Sequence, residues 1–173
     1  MTEPTVILVA GVSGSGKTTI GTLLAERLGW EYAEADAFHP EANIAKMRAG
    51  HPLTDEDRLP WLRSIAAWIG ERVTTGRPGV VTSSALKRRY RDLLVDGHAG
   101  VRIVLLDGDR DTIAARMRAR KGHFFSADLL DSQFADLERP EPDENIATVP
   151  VTGTPEETVT HILKALDLSP RPR

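Results

Sequence analysis

The chain has 173 residues, 40% hydrophobic and 27% charged, with a formal net charge of −3 and no cysteine. That length describes one domain with a substantial core; the mild acidity argues against a general nucleic-acid binder, and the lack of thiols excludes disulfides and thiolate zinc sites. No stretch approaches the roughly 18 apolar residues of a membrane span, and "MTEPTVILVAG" has no charged leader before its short apolar run, so a cytoplasmic protein without membrane or nucleic-acid partners is expected.

Short apolar runs alternate with helical patterns, the signature of stacked βα units around a parallel sheet. "TVILVA" (5–10) reads as a buried strand. A helix is predicted from Lys17, with Ile20, Leu23, Leu24 and Leu28 on one face and Gly29 as its stop. "WEYAEA" is a weaker second strand ending near Asp36, and "EANIAKMRAG" a short helix closed by Gly50. Pro60 is expected to begin a further helix or lie in its first turn, because deeper inside it would remove a hydrogen bond and clash. Trp61, Leu62, Ile65, Ile69 and Val73 supply the apolar stripe of that helix. "GVVTSS" (79–84) is a third strand, followed by a basic helix, "ALKRRYRDLL".

"VRIVLL" (101–106) is the clearest later strand, followed by a helix through Ile113 and Met117. A cation-rich stretch then turns helical, with Ser126 as its expected cap, and "NIATVPV" is the last strand. In "TPEETVTHILKAL", Thr154 as N-cap, Pro155 at N1 and Glu157 closing a capping box start the final helix. Its inward face carries Val159, Ile162, Leu163 and Leu166; residues 168–173 read as a disordered tail. No repeat or long linker divides the chain.

"GVSGSGKT", Gly11 to Thr18, matches G-x-x-x-x-G-K-[ST] in full, between a strand and an amphipathic helix. Gly11, Gly14 and Gly16 let the chain wrap so that backbone N–H groups, with Ser13, Ser15 and Thr19 beside them, face phosphate oxygens. Lys17 reaches the β and γ phosphates, Thr18 offers its hydroxyl to Mg²⁺, and the helix N-terminus adds positive charge. The chain therefore reads as a nucleoside-triphosphate binder. A guanine-nucleotide switch would carry Asn-Lys-x-Asp, but Asn43 and Asn145 are each followed by isoleucine, and the Leu-Ser-Gly-Gly of transport ATPases is absent. Asp107 and Asp109 read as a loop residue and a helix cap in preference to a Mg²⁺ site. A small-molecule kinase with a basic lid remains.

In an open α/β sheet, ligands bind beyond the carboxyl ends of the strands, where Asp36 and Ser84 join the phosphate loop. Asp36 is a candidate for the acceptor hydroxyl and, by position, its general base; as a plain helix cap it would do neither. Glu34 could approach Mg²⁺ through water. Lys87 and Arg91 are four apart on one predicted helical face, with Arg88 directed elsewhere. Arg116 and Arg120 repeat that spacing in a lid at about 116–127, where an arginine would neutralise transition-state charge and exclude water. His39 and His51 lack a third ligand at useful spacing for a metal.

"GVSGSGKTTIG", "ADAFHPEANIAKMRAGHPLTDEDRLPWL", "SSALKRRYRDLL", "LLDGD", "RKGHFF" and "LLDSQFADLE", in this order over positions 11 to 138, resemble bacterial gluconokinases. The resemblance implies transfer of the γ-phosphoryl of ATP to the 6-hydroxyl of D-gluconate. It also implies a P-loop NTPase fold of nucleoside-monophosphate-kinase type, α/β with a central parallel sheet of about five strands, and a homodimer. Asp36 and His39 match the family's acidic-histidine segment, Arg58 its Asp-Arg motif, Lys87 and Arg91 its basic helix, His123 its lid and Gln133 its "DSQ" segment. Ser83 departs from the cysteine expected in many relatives. For such a substrate, Arg58 or Arg91 can pair with the carboxylate in bidentate fashion, while His39, His123, Ser84 and Gln133 suit hydroxyls. Shikimate kinase is an alternative of the same fold, and an ATP sensor without transfer is an alternative of another class.

Overall fold

The computed structural model describes residues 4–12, 14–51, 53–119, 127–144, 146–151 and 153–170. Five strands, β1 (Val6–Ala10), β2 (Glu31–Glu34), β3 (Gly79–Ser83), β4 (Val101–Asp107) and β5 (Ala147–Pro150), form one sheet in the order β2-β3-β1-β4-β5. Every pairing is parallel, with Ala10 opposite Ser83 on one side and Leu105 on the other. The chain leaves β1 toward the β2 edge and leaves β4 toward the β5 edge. A crevice therefore opens beyond the carboxyl ends of the central strands.

The helices are α1 (Lys17–Leu28), α2 (Glu41–Arg48), α3 (Asp55–Thr75), α4 (Arg88–Val95), α5 (Arg110–Ala119), α6 (Ala127–Asp136) and α7 (Pro155–Ala165). β1 is fully buried because helices cover both faces, which is why it reads as an unbroken apolar run. Its side chains still alternate: Ile7 and Val9 pack with Ile20, Leu24, Val159 and Ile162 of α1 and α7. Val6 and Leu8 pack with Leu62, Ile65, Ile69 and Leu94 of α3 and α4. A third, smaller cluster joins Val12, Leu86, Ile113, Ala114 and Leu130, with Met117 and Phe134 against it. It seats α5 and α6, the two helices that flank residues 120–126, on the first loop.

β2 ends at Glu34, near Asp36 as expected, and Asp36 follows it in a single 3₁₀ turn, Ala35–Phe38. Three expectations need correction. α3 begins at Asp55, so Pro60 is its sixth residue and not in its first turn. The Thr54 hydroxyl accepts the Asp57 amide and the Asp57 carboxylate accepts the Thr54 amide. An interior proline costs about 3 kcal/mol; a cap worth about 1 and burial of Trp61, Leu62, Ile65 and Ile69 at roughly 1.5–3 each outweigh it. α4 begins at Arg88, with Lys87 extended at the N-cap (φ −98°, ψ 143°), so Lys87 and Arg91 share no helical face. The Arg88 amide is capped instead by the carboxylate of Glu138, 2.8 Å away and distant in sequence. Finally, Leu168 is buried and its amide donates to Leu163 O at 2.8 Å, so it packs with α7 and is not part of a disordered tail; residues 171–173 lie outside the described residues.

Gly29 and Gly50 take the positive φ that ends α1 and follows α2, and Thr154, Pro155 and Glu157 form the predicted cap of α7.

Candidate active site

The loop between β1 and α1 holds its shape through glycine. Gly14 (φ +81°) and Gly16 (φ +95°) adopt left-handed conformations that a side chain disfavours. A Cβ on Gly14 would also stand 2.5 Å from Met117 Cγ, so α5 packs directly on this loop. The Lys17 ammonium turns back over the loop and donates to Gly11 O (2.9 Å) and Val12 O (3.1 Å). Thr18 and Thr19 open α1 and are exposed; Thr18 Oγ1 donates to Glu34 Oε1, tying the first turn of α1 to the end of β2. Ser15 is buried, and its Oγ has no partner among the described residues. Ser13 lies outside the described residues.

One side of this loop borders a cleft of about 220 Å³ lined by Gly14, Gly16, Thr19, Arg116, Val151, Gly153 and Pro155. Arg116 Nη2 donates to Val151 O, which fixes the guanidinium at the cleft wall. The loop between β5 and α7 was not selected from the sequence: a Gly-Thr-Pro turn carries no signal beyond helix capping. A second cleft of the same volume lies between Asp107, Asp109, Thr112 and Arg139. Its charges are matched internally, since Arg139 pairs with Asp107 at 2.8 Å and Asp109 accepts the Thr112 amide at 2.7 Å. That amide, aided by the Thr112 hydroxyl, holds the Asp109 carboxyl below its usual range. Asp109 is thus the helix cap expected from the sequence.

On the other side, the Gly11 amide meets Ser84 O at 3.4 Å, so the exit of β3 adjoins the glycine loop. Ser84 is half-buried; the neighbouring Ser83 is buried, its Oγ without a partner among the described residues. Ala85 follows with φ +40°, a sparsely populated conformation for a non-glycine residue. Arg91 stabilises that turn, donating from Nη1 to Ala85 O (3.2 Å) and Leu86 O (2.9 Å). Its Nε and Nη2 are taken by Glu144, and the side chains of both partners are buried. Arg91 thus engages four of its five N–H donors inside the protein, and its buried guanidinium is poorly placed for a bidentate pair with a substrate carboxylate. Arg88 likewise pairs with Asp143 and Glu141.

Arg58, Lys87 and Arg89 instead gather around Tyr90, at 5.9, 5.8 and 5.4 Å from its ring centroid. Arg58 Nη1 donates to the Tyr90 hydroxyl at 3.3 Å, and that hydroxyl donates to Asp55. Hydrogen bonding from Tyr90, with the charges of Arg89 and Lys87 nearby, holds the Asp55 carboxyl below its usual range. His39 stacks on Trp61 at 4.3 Å and 9°, and its Nδ1 is 3.3 Å from Asn43 Nδ2. Asn43 is buried and donates to Asp57 O at 2.8 Å, joining α2 to α3. Asn43, Asp55, Arg89 and Tyr90 were missed because each becomes notable only through partners distant in the chain. Gln133 is half-buried on α6, whose Leu130 and Phe134 pack with Val12 and Leu86. Asp36 follows β2 at the same edge, but its side chain, with Arg120 and His123, lies outside the described residues.

Residues 6–140 match a family described as an AAA domain. A gluconokinase from Gluconobacter oxydans (strain 621H) is 44% identical over 162 residues, covering 94% of this chain and 91% of that protein. The crystal structure of a gluconokinase from Sinorhizobium meliloti 1021 aligns with a TM-score of 0.85 at 43% identity, over 96% of this chain and 94% of that one. Shikimate kinase from Bacteroides thetaiotaomicron aligns at a TM-score of 0.68 over 94% and 98% of the two chains; at 17% identity, the likeness is one of fold alone.

Proposed function

This chain belongs to the gluconokinase family, and we propose on that premise that it transfers the γ-phosphoryl group of ATP to the 6-hydroxyl of D-gluconate. The products are 6-phospho-D-gluconate and ADP. The observation that carries this reading is the adjacency of a phosphate-binding loop and a cation cluster, joined by the Ser84–Lys87 turn. The loop suits a nucleoside triphosphate, and the cluster suits a carboxylate.

Lys17 exchanges its contacts with Gly11 O and Val12 O for the β and γ phosphates, while the cleft by Arg116, Val151 and Gly153 receives the nucleoside. Arg58 and Lys87 hold the gluconate carboxylate, and His39, Ser84, Gln133 and His123 contact its hydroxyls. Asp36 accepts the proton of the 6-hydroxyl as the O6–P bond forms and the bond from phosphorus to the β,γ-bridging oxygen breaks. Arg120, closing from the lid, neutralises charge on the transferring group. The paired hydroxyl of Thr18 and carboxylate of Glu34 are hard oxygen donors, which fits Mg²⁺ directly or through water. When bound, Mg²⁺ would supply further charge neutralisation on the phosphate oxygens. The enzyme is a cytoplasmic homodimer in this reading; its mass in light scattering tests the assembly.

The experiment is ADP release measured with D-gluconate, shikimate and related sugar acids. Gluconate-dependent turnover is expected. Turnover with shikimate and none with gluconate would overturn the assignment, and ATP binding with no acceptor-dependent release would identify a sensor. Asp36→Asn tests the general base, because intact gluconate-dependent turnover in that variant removes Asp36 from the role.

A further inference from the structure

Asp55 opens α3 in surroundings unusual for a surface carboxylate. Its Oδ1 accepts the Tyr90 hydroxyl and its Oδ2 accepts Arg89 Nη2. Lys87 Nζ stands 3.7 Å and Arg58 Nη1 3.8 Å from Oδ1. Three cations from two segments thus converge on one negative charge, above the face of a single tyrosine.

The two kinds of contact differ in consequence. Tyr90 and Arg89 are hydrogen-bonded to Asp55, whereas Arg58 and Lys87 stand beyond hydrogen-bonding distance. Asp55 therefore acts on those two through its field and does not consume their donors. Like charges this close repel, so a negative centre is what allows Arg58 and Lys87 to face one point together. Among the described residues, three cations against one carboxylate also leave two positive charges unmatched, enough for a second carboxylate without displacing the first. Tyr90 completes the arrangement: its hydroxyl donates to Asp55 and accepts from Arg58.

Resting on the acceptor reading above, we propose that Asp55 is a positioning residue for the acceptor's carboxylate, gathering Arg58 and Lys87 into one binding point. It does not touch the substrate; it sets where the two cations stand. A merely structural role is the obvious competitor, because a carboxylate in the first turn of a helix also favours the helix dipole. That role affects folding and carries no preference for a charged acceptor.

Asp55→Asn preserves the size of the side chain and an acceptor for the Tyr90 hydroxyl while removing the charge. In the full-length protein we expect the KM for D-gluconate to rise about tenfold, with kcat at saturating gluconate changed less than threefold, the pattern of lost acceptor binding. The KM for ATP and the thermal midpoint stay near wild type, inhibition by D-glucitol, which lacks the carboxylate, does not change, and Asp55→Glu recovers part of the affinity. An unchanged or lower KM for gluconate overturns the proposal. So does a rise accompanied by equal losses for ATP and glucitol and a lower midpoint, which identifies a structural lesion. Absence of gluconate turnover in the wild-type enzyme would instead overturn the underlying acceptor assignment before any variant is compared.

Discussion

Arg91 and Glu144 form a buried ion pair, Nε to carboxylate oxygen 2.8 Å, with side chains 3% and 4% exposed. The same guanidinium binds two carbonyls of the strained turn that carries Ser84 and Lys87. Arg91→Ala would leave a carboxylate buried without its partner, a loss of about 3–5 kcal/mol. Replacing both partners by apolar residues of matching shape should cost much less. Urea unfolding of the single and double variants measures this. Wild-type stability in Arg91→Ala, with a raised KM for gluconate, would restore Arg91 to the substrate set.

In the proposed transfer Lys17 follows the phosphates; in the structure its ammonium bridges two carbonyls of its own loop. Lys17→Ala should lower gluconate-dependent kcat by at least about a hundredfold, the scale of losing one transition-state charge contact, with the circular dichroism spectrum unchanged. Retention of most activity would contradict the assignment of this loop.

Arg58 offers a planar fork that lysine cannot reproduce. Arg58→Lys should raise the KM for gluconate by about tenfold, and Arg58→Ala by more, corresponding to roughly 1.5–3 kcal/mol for a charge-assisted hydrogen bond. Steady-state kinetics at saturating ATP decide it. Equal affinity in the lysine variant would show that charge alone suffices at this position.

Gly14 answers both to its φ of +81° and to Met117. Gly14→Ala should destabilise the protein by about 1–3 kcal/mol from backbone strain, and raise the KM for ATP because the loop must shift away from α5. A thermal midpoint and ATP titration equal to wild type would show that α5 yields at no cost.

Asp57 gives a pH dependence of definite sign. Its hydrogen bonds from Lys46 and the Thr54 amide lower its pKa from 3.8 to about 2. A depressed folded-state value means that its contribution is complete above the unfolded pKa and is lost as pH falls from about 4 toward 2. The wild type should therefore exceed Asp57→Asn in thermal midpoint at pH 6, with the gap narrowing by pH 3. A gap that is constant with pH would assign the effect to packing.

Much of the site was legible locally. Glycine spacing, Lys17 and Thr18 mark a phosphate loop because a tight backbone turn and a nearby cation must be close in sequence. Thr154, Pro155 and Glu157 were legible for the same reason. The capping box of Thr54 and Asp57 was equally local, yet Pro60 obscured it because a proline is usually read as the beginning of a helix. The "ALKRRYRDLL" stretch misled for a different reason. Helical spacing joins Lys87 to Arg91, but a carboxylate from Glu138 caps the Arg88 amide and starts the helix after Lys87.

The sequence by itself determined the strand–loop–helix phosphate site, the alternation of parallel strands and helices, and the family resemblance, because each rests on residues adjacent or periodic along the chain. Only the tertiary structure decided which cations are engaged within the fold and which gather at a common point. Arg91 is withdrawn by Glu144, 53 residues away, and Arg58 and Lys87 are brought together by Asp55 and Tyr90. A charge's role depends on the opposite charge folding places beside it, and local spacing carries no record of that partner.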